Sequence, residues 1–123
     1  MSRLRLPRPI VDHILRQAQH ETDRGLTGIV AAENDVPTRC AQLHAGQTVD
    51  DVLAENENLF AVYRSRANPS HTPVIDELRD ITDRDVLLLT VSLETKGVLQ
   101  LQGWQPVNDQ LERIDIGIRE ADD

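Results

Sequence analysis

The sequence predicts an α/β fold, a single domain in which helices flank a mixed β-sheet. Three observations point there. Residues 86–93, Val-Leu-Leu-Leu-Thr-Val-Ser-Leu, form a near-continuous apolar run of strand length, the pattern of a central strand covered on both faces. Near the N-terminus, Ile10, Ile14, Leu15 and Ala18 follow helical spacing instead. Elsewhere, short β-rich segments alternate with turn residues and brief helical patterns, so strands and helices interleave along the chain.

Taken in order, Ser2 to Leu6 alternates polar and apolar residues and is expected to be an edge strand ending at Pro7. Pro9 suits the first turn of a helix expected to run to about Thr22, with Asp12, His13, Arg16, Gln17 and His20 on its outer side. His13 and His20 share a face without a third ligand in place, which predicts a solvated pair. Gly25 and Gly28 bracket a turn, Leu26 to Ala32 is a buried strand, and Glu33-Asn34-Asp35 turns the chain into a returning strand from Val36 to Leu43. Gln47 to Glu55 predicts a short helix with Thr48 as its N-cap. Leu59 to Tyr63 is a buried strand that stops at Arg64, Ser65 and Arg66; Ala67 to Pro73 is a loop, and Ile75, Leu78 and Ile81 mark a short helix. After the central strand, Thr95-Lys96-Gly97 is a turn, Val98 to Trp104 a neighbouring strand, Pro106 to Gln110 a loop, and Leu111 to Ile118 a last strand.

With 123 residues the chain holds one domain, taken as 1–123 with a core at about residues 6–118. Aromatics make up only 2%, so Leu, Ile, Val and Ala must build most of the core. The formal net charge of −8 argues against nucleic acid or an anionic membrane as partner. Cys40 is the single cysteine, which excludes an intramolecular disulfide and a cysteine-based zinc cluster within one chain. Cys40 itself is expected to be a small core residue. No apolar run approaches the roughly 18 residues of a membrane span, and the Arg-rich start lacks a signal-type apolar stretch, so a cytoplasmic protein is expected.

Chemistry is expected around residues 59–76. Arg64, Ser65, Arg66, His71 and Asp76 fall at a strand end, in a loop and at a helix start, the places where α/β folds put function.

The order of these pieces resembles the JAMM/MPN (JAB-type) metalloprotease family. The residues that carry the likeness are Leu6 to Leu15 (Leu-Pro-Arg-Pro-Ile-Val-Asp-His-Ile-Leu), Thr27-Gly28-Ile29-Val30, Val62-Tyr63-Arg64-Ser65-Arg66 and Leu89-Thr90-Val91-Ser92-Leu93. The resemblance implies a cytidine-deaminase-like α/β fold. It also implies a site: active members carry a His-x-His pair at the end of the site strand and Ser-x-x-Asp at the next helix start. The imidazoles and the aspartate hold zinc, whose fourth position goes to water. A glutamate from the strand after the first helix is the general base, and the serine helps to stabilise the oxyanion.

At these positions the chain departs from the pattern. Arg64 and Arg66 fall on the two histidines with Ser65 between them, Pro73 falls on the serine, and Gly25 falls near the glutamate, with Glu21 the nearest acid. Asp76 is retained. Arginine stays protonated and has no lone pair to offer a metal. Two guanidinium groups beside Asp76 are expected to replace the dication, with an Arg–Asp ion pair across the former site.

The sequence therefore favours a non-catalytic binding or scaffolding module without a cofactor. Its implied partner is a protein, either a ubiquitin-like or sulfur-carrier-like tail or another MPN-type subunit, with Arg64, Ser65 and Arg66 as binding residues. The alternative is a divergent zinc-dependent peptidase or isopeptidase with a site rebuilt from His71 and Asp76, aided by His44 and a relocated base such as Glu21. A third reading is an anion site on Arg64 and Arg66.

Overall fold

The computed structural model of the protein describes residues 3–20, 26–66, 73–93 and 99–119. β1 (Arg3–Pro7) leads directly into α1 (Arg8–His20), and β2 (Thr27–Glu33) and β3 (Val36–Gln42) form a hairpin. Then α2 (Val49–Val52) precedes β4 (Asn58–Arg66), and α3 (Ile75–Arg79) precedes β5 (Leu87–Leu93). β6 (Leu99–Val107) and β7 (Gln110–Arg119) complete the described chain. The strands build a mixed seven-stranded sheet in the order β1-β7-β6-β5-β4-β2-β3. β4 and β5 are parallel, as are β1 and β7, and the other neighbours are antiparallel. This is the α/β architecture that the interleaved pattern predicts.

Alternation along the strands divides the core between two faces. Ile10, Val11, Ile14 and Ala18 of α1 bury their stripe against Val30, Ala61, Tyr63, Leu89 and Val91. On the other face, Val49 of α2 and Leu78 of α3 pack with Ile29, Val62, Leu88 and Trp104. β5 is covered on both sides, which is why its sequence is apolar almost without interruption. The indole N–H of Trp104 donates to Thr90 Oγ1 at 2.9 Å, so the one buried tryptophan leaves no polar group unpaired.

Turn and cap chemistry fixes the connections. Asn34 and Asp35 both have positive φ (52° and 66°), as do Asn108 and Asp109 (51° and 63°), the backbone of two-residue hairpin turns matched to strand twist. Thr48 caps α2: its Oγ1 accepts from Asp51 N at 3.3 Å, while Asp51 Oδ2 accepts from Thr48 N at 2.7 Å. Val74 is the N-cap of α3 and has no side-chain acceptor, but Glu77 Oε2 accepts from Val74 N at 3.0 Å.

Four sequence expectations shift. Gly28 lies inside β2, as the strand expected over Leu26–Ala32 has it, facing Tyr63 across the ladder, and does not bound a turn. The helix expected over Gln47–Glu55 is a single turn, because Leu53 is already extended (φ −79°, ψ 135°). β4 continues past Tyr63 through Arg66, since Arg64, Ser65 and Arg66 still pair with Thr90, Val91 and Ser92 of β5. β6 runs through Pro106 to Val107 where a loop was expected: pairing with β5 ends at Trp104, so Pro106 has only β7 beside it and its missing N–H breaks no second ladder. The expected turn at Thr95–Gly97 and the end of the first helix at Thr22 lie outside the described residues. Among the described residues no helix is long and apolar enough to cross a membrane.

Candidate functional site

A cleft of about 710 Å³ opens at the C-terminal end of β4. Thr27 at the start of β2, His44 and Gln47 between β3 and α2, Arg64 and Ser65 at the end of β4, and Asp80 at the end of α3 line it. The site thus draws on the ends of two strands, the connection between β3 and α2, and the end of α3, all held by the packed sheet.

Arg64 stands opposite Thr27 on one side and Thr90 on the other. Period-two alternation puts it on the same face as Val62, the face covered by α2 and α3. It is half-buried, and among the described residues it makes no hydrogen bond or ion pair. Ser65 ties two backbone segments together. Its Oγ accepts from Leu26 N at 2.7 Å, and its own N–H donates to Leu26 O at 2.9 Å. These two bonds extend the β2–β4 pairing one residue beyond Thr27. His44 is exposed, and its backbone N–H donates to Gln47 Oε1 at 2.9 Å.

The remaining sequence candidates scatter. Asp76 is exposed at the second position of α3 and forms no ion pair with Arg64. The expected Arg–Asp bridge is therefore absent for this pair, because the neighbouring Glu77 caps the helix and leaves the Asp76 carboxylate in solvent. Pro73 and Asp76, three residues apart, each sit one residue before the N-cap Val74 and the third helical residue Glu77. Gly25, Glu21, His71 and the side chain of Arg66 lie outside the described residues. His13 is exposed and pairs with Gln17 through Nε2 at 2.9 Å; the side chain of His20 is not among those described. Cys40 is buried with its thiol directed at Ile10 O (3.9 Å), and burial pushes its pKa up to about 12, far from a nucleophile's range.

Donor chemistry decides what this site can hold. Among the described residues no group of three or more His, Cys, Asp or Glu side chains is placed to hold a metal ion. At the end of β4, Arg64 presents only N–H donors. The described residues thus do not fit zinc, whereas a guanidinium lining a cleft fits an anionic group. Thr27, Gln47 and Asp80 were not singled out by sequence reasoning. The β2–β4 pairing brings Thr27 beside Arg64, and the meeting of the β3–α2 loop with the end of α3 brings Gln47 and Asp80 to the same cleft.

No protein-family model and no curated protein sequence matches the chain. Solved structures do match. A protein from Desulfitobacterium hafniense, determined in solution, has a TM-score of 0.70 at 15% identity, covering 95% of this chain and 93% of that one. A protein from Salinibacter ruber, also determined in solution, has a TM-score of 0.63 at 16% identity, covering 94% and 92%. The crystal structure of a JAB1/MPN domain protein from Archaeoglobus fulgidus has a TM-score of 0.67 at 14% identity, covering 97% of this chain and all of that one (100%). At such identities the likeness is one of fold, and the chain has an MPN-like α/β fold.

Proposed function

We propose that the chain is an MPN-like domain that has given up zinc chemistry and works as a binding or scaffolding module. Its partner is a protein: the tail of a ubiquitin-like or sulfur-carrier-like protein, or a second MPN-type subunit. The observation that supports this reading is Arg64, which stands in the cleft at the strand end with donors only and no partner among the described residues. Such a group binds anions and cannot activate water as a bound metal does. Sheet-edge pairing, which β3 permits as the last strand on its side, requires no metal either.

The test is a zinc titration of metal-free protein that follows the ring signals of His44 and His71, together with binding of ubiquitin-like and MPN-type proteins in the presence of a chelator. The expected result is no stoichiometric zinc site and a partner that binds without metal, shifting the amides of Leu26, Arg64 and Ser65. Tight zinc binding that His71→Ala abolishes, with isopeptide hydrolysis stopped by the chelator, would overturn the proposal in favour of a zinc peptidase using His71 and Asp76.

A further inference from the structure

We infer that the cleft at the end of β4 captures the free C-terminal carboxylate of a peptide chain on the guanidinium of Arg64. This rests on the binding-module reading and adds to it the chemical group that is recognised.

Arg64 differs from the arginines whose partners are seen. Arg39 pairs with Glu57 at 2.6 Å, Arg79 with Asp85 at 2.6 Å and Arg84 with Asp50 at 2.6 Å, and all three residues are exposed. Arg64 is more buried than these three and, unlike them, has no partner among the described residues. Withdrawing a cation from water without an ion-pair or hydrogen-bond partner is unfavourable, and a carboxylate docked on the guanidinium offsets that cost with two parallel, charge-assisted hydrogen bonds.

Its neighbours leave donors to spare. Ser65 Oγ accepts from Leu26 N–H, which leaves the hydroxyl proton to donate. Gln47 Oε1 accepts from His44 N–H, which leaves the amide NH2. The charge count then selects the anion. Arg64 shares the cleft with the Asp80 carboxylate, with which it forms no ion pair, in a chain of net charge −8, so a phosphate dianion or a nucleic-acid backbone meets too little positive charge, whereas a carboxylate brings the least negative charge that a guanidinium can pair with. Size selects the bearer: a cleft of about 710 Å³ is on the scale of sites that enclose ligands of many atoms, not acetate alone. An amide or isopeptide carbonyl brings no charge, so the cleft separates a free chain end from a conjugated one.

The experiment titrates the protein with an N-acetylated Ala-Gly repeat peptide ending in a free carboxylate, with the same peptide as its C-terminal amide, and with sodium acetate. The carboxylate form is expected to bind about tenfold or more tightly than the amide, the scale of one charge-assisted interaction. That preference is expected to vanish in Arg64→Gln and to survive in part in Arg64→Lys, with Trp104 fluorescence confirming that both variants fold. Equal binding of the two peptides, or a preference that Arg64→Gln retains, overturns the inference. Acetate that displaces the peptide with the peptide's own affinity also overturns it, because the chain then contributes nothing. If neither peptide binds while a ubiquitin-like or MPN-type protein does, carboxylate capture falls and the module reading stands. If no protein partner binds but the peptide preference holds, the module reading falls and the carboxylate site stands.

Discussion

Gly28 and Tyr63 face each other across the β2–β4 ladder, and a β-carbon on Gly28 would stand 2.2 Å from Tyr63 Cζ and 2.7 Å from the carbonyl oxygen of Ala41. The aromatic ring therefore lies in space that only a glycine leaves open. Gly28→Ala must displace either a fully buried ring or the backbone of the neighbouring strand. The expected cost is about 1–3 kcal/mol, the range for overpacking a tight core. Chemical denaturation of Gly28→Ala, of Tyr63→Ala and of the double variant checks this: the penalties should fall short of additivity because both changes act on one contact.

From that position Tyr63 reaches across the core, and its hydroxyl donates to Gln17 Oε1 on α1. Burial holds the phenol well above its ordinary value of 10.0, as burial holds the Cys40 thiol at about 12 against 9.0. Both groups keep their protons in the folded state beyond the pH at which the unfolded chain loses them. Their contribution is thus complete below about pH 9 and is lost as pH rises through the folded values. Tyr63 and Cys40 are the only residues of their kinds. Tyrosinate absorbance and thiol-reagent labelling should accordingly both stay silent at moderately alkaline pH and appear together with unfolding.

At the opposite end of the pH range the relevant group is Glu57. Its carboxylate accepts from Arg39 Nε at 3.0 Å and Nη2 at 2.6 Å and from the Ala54 N–H at 2.9 Å, and these bonds, the Arg39 side chain first, hold its pKa at about 2 in place of 4.5. A depressed carboxylate stabilises the fold above the unfolded value, and that stability is lost as pH falls from about 4.5 towards 2. Arg39 is 42% exposed, so solvent screening limits the effect to roughly 0.5–1 kcal/mol. Acid denaturation of Glu57→Gln should begin from lower stability at neutral pH and show a shallower dependence below pH 4.5.

Ser65→Ala should remove a backbone restraint. The Leu26 N–H loses its acceptor while Ser65 N–H keeps its bond to Leu26 O. The expected penalty is about 1–3 kcal/mol, as for a part-buried donor left unpaired. Amide hydrogen exchange should localise it, with protection lost at Leu26 and kept at Ile29 and Val30. Unchanged protection at Leu26 would show that the hydroxyl does not hold the start of β2.

Much of the scaffold was legible because local chemistry dictated it. The apolar run of β5 requires cover on both faces, Thr48 and Asp51 write a cap, and Asn34-Asp35 writes a turn. What escaped depends on neighbours distant in sequence. Pro106 signals a break unless β5 is known to end beside Trp104, and Gly28 signals a turn unless Tyr63 is known to lie over it. The candidate site was half visible: Arg64 and Ser65 at a strand end were identifiable, but the serine's bond to Leu26 and the approach of Asp80 and Gln47 arise from tertiary packing. An Arg–Asp ion pair was expected because the family resemblance places Arg64, Arg66 and Asp76 around one site; for Arg64, the helical position of Asp76 turns the carboxylate to solvent.

The parallel pairing of β1 with β7, from Arg3 beside Asp115 to Pro7 beside Arg119, sets the order of synthesis against the order of assembly. Among the described strands, β1 has no ladder partner until β7 is made. α1 follows β1 without a connecting loop, but its apolar stripe packs on β2, β4 and β5, all made before β7, so only β1 is left waiting. Closing that edge spans nearly the whole chain, an entropic cost met before any ladder bond forms there, which predicts slow, late docking of β1 onto a hairpin-built centre. A chain stalled before β7 would display the unpaired edges of β1 and β6 together, and open strand edges of this kind are what make a nascent form prone to aggregate.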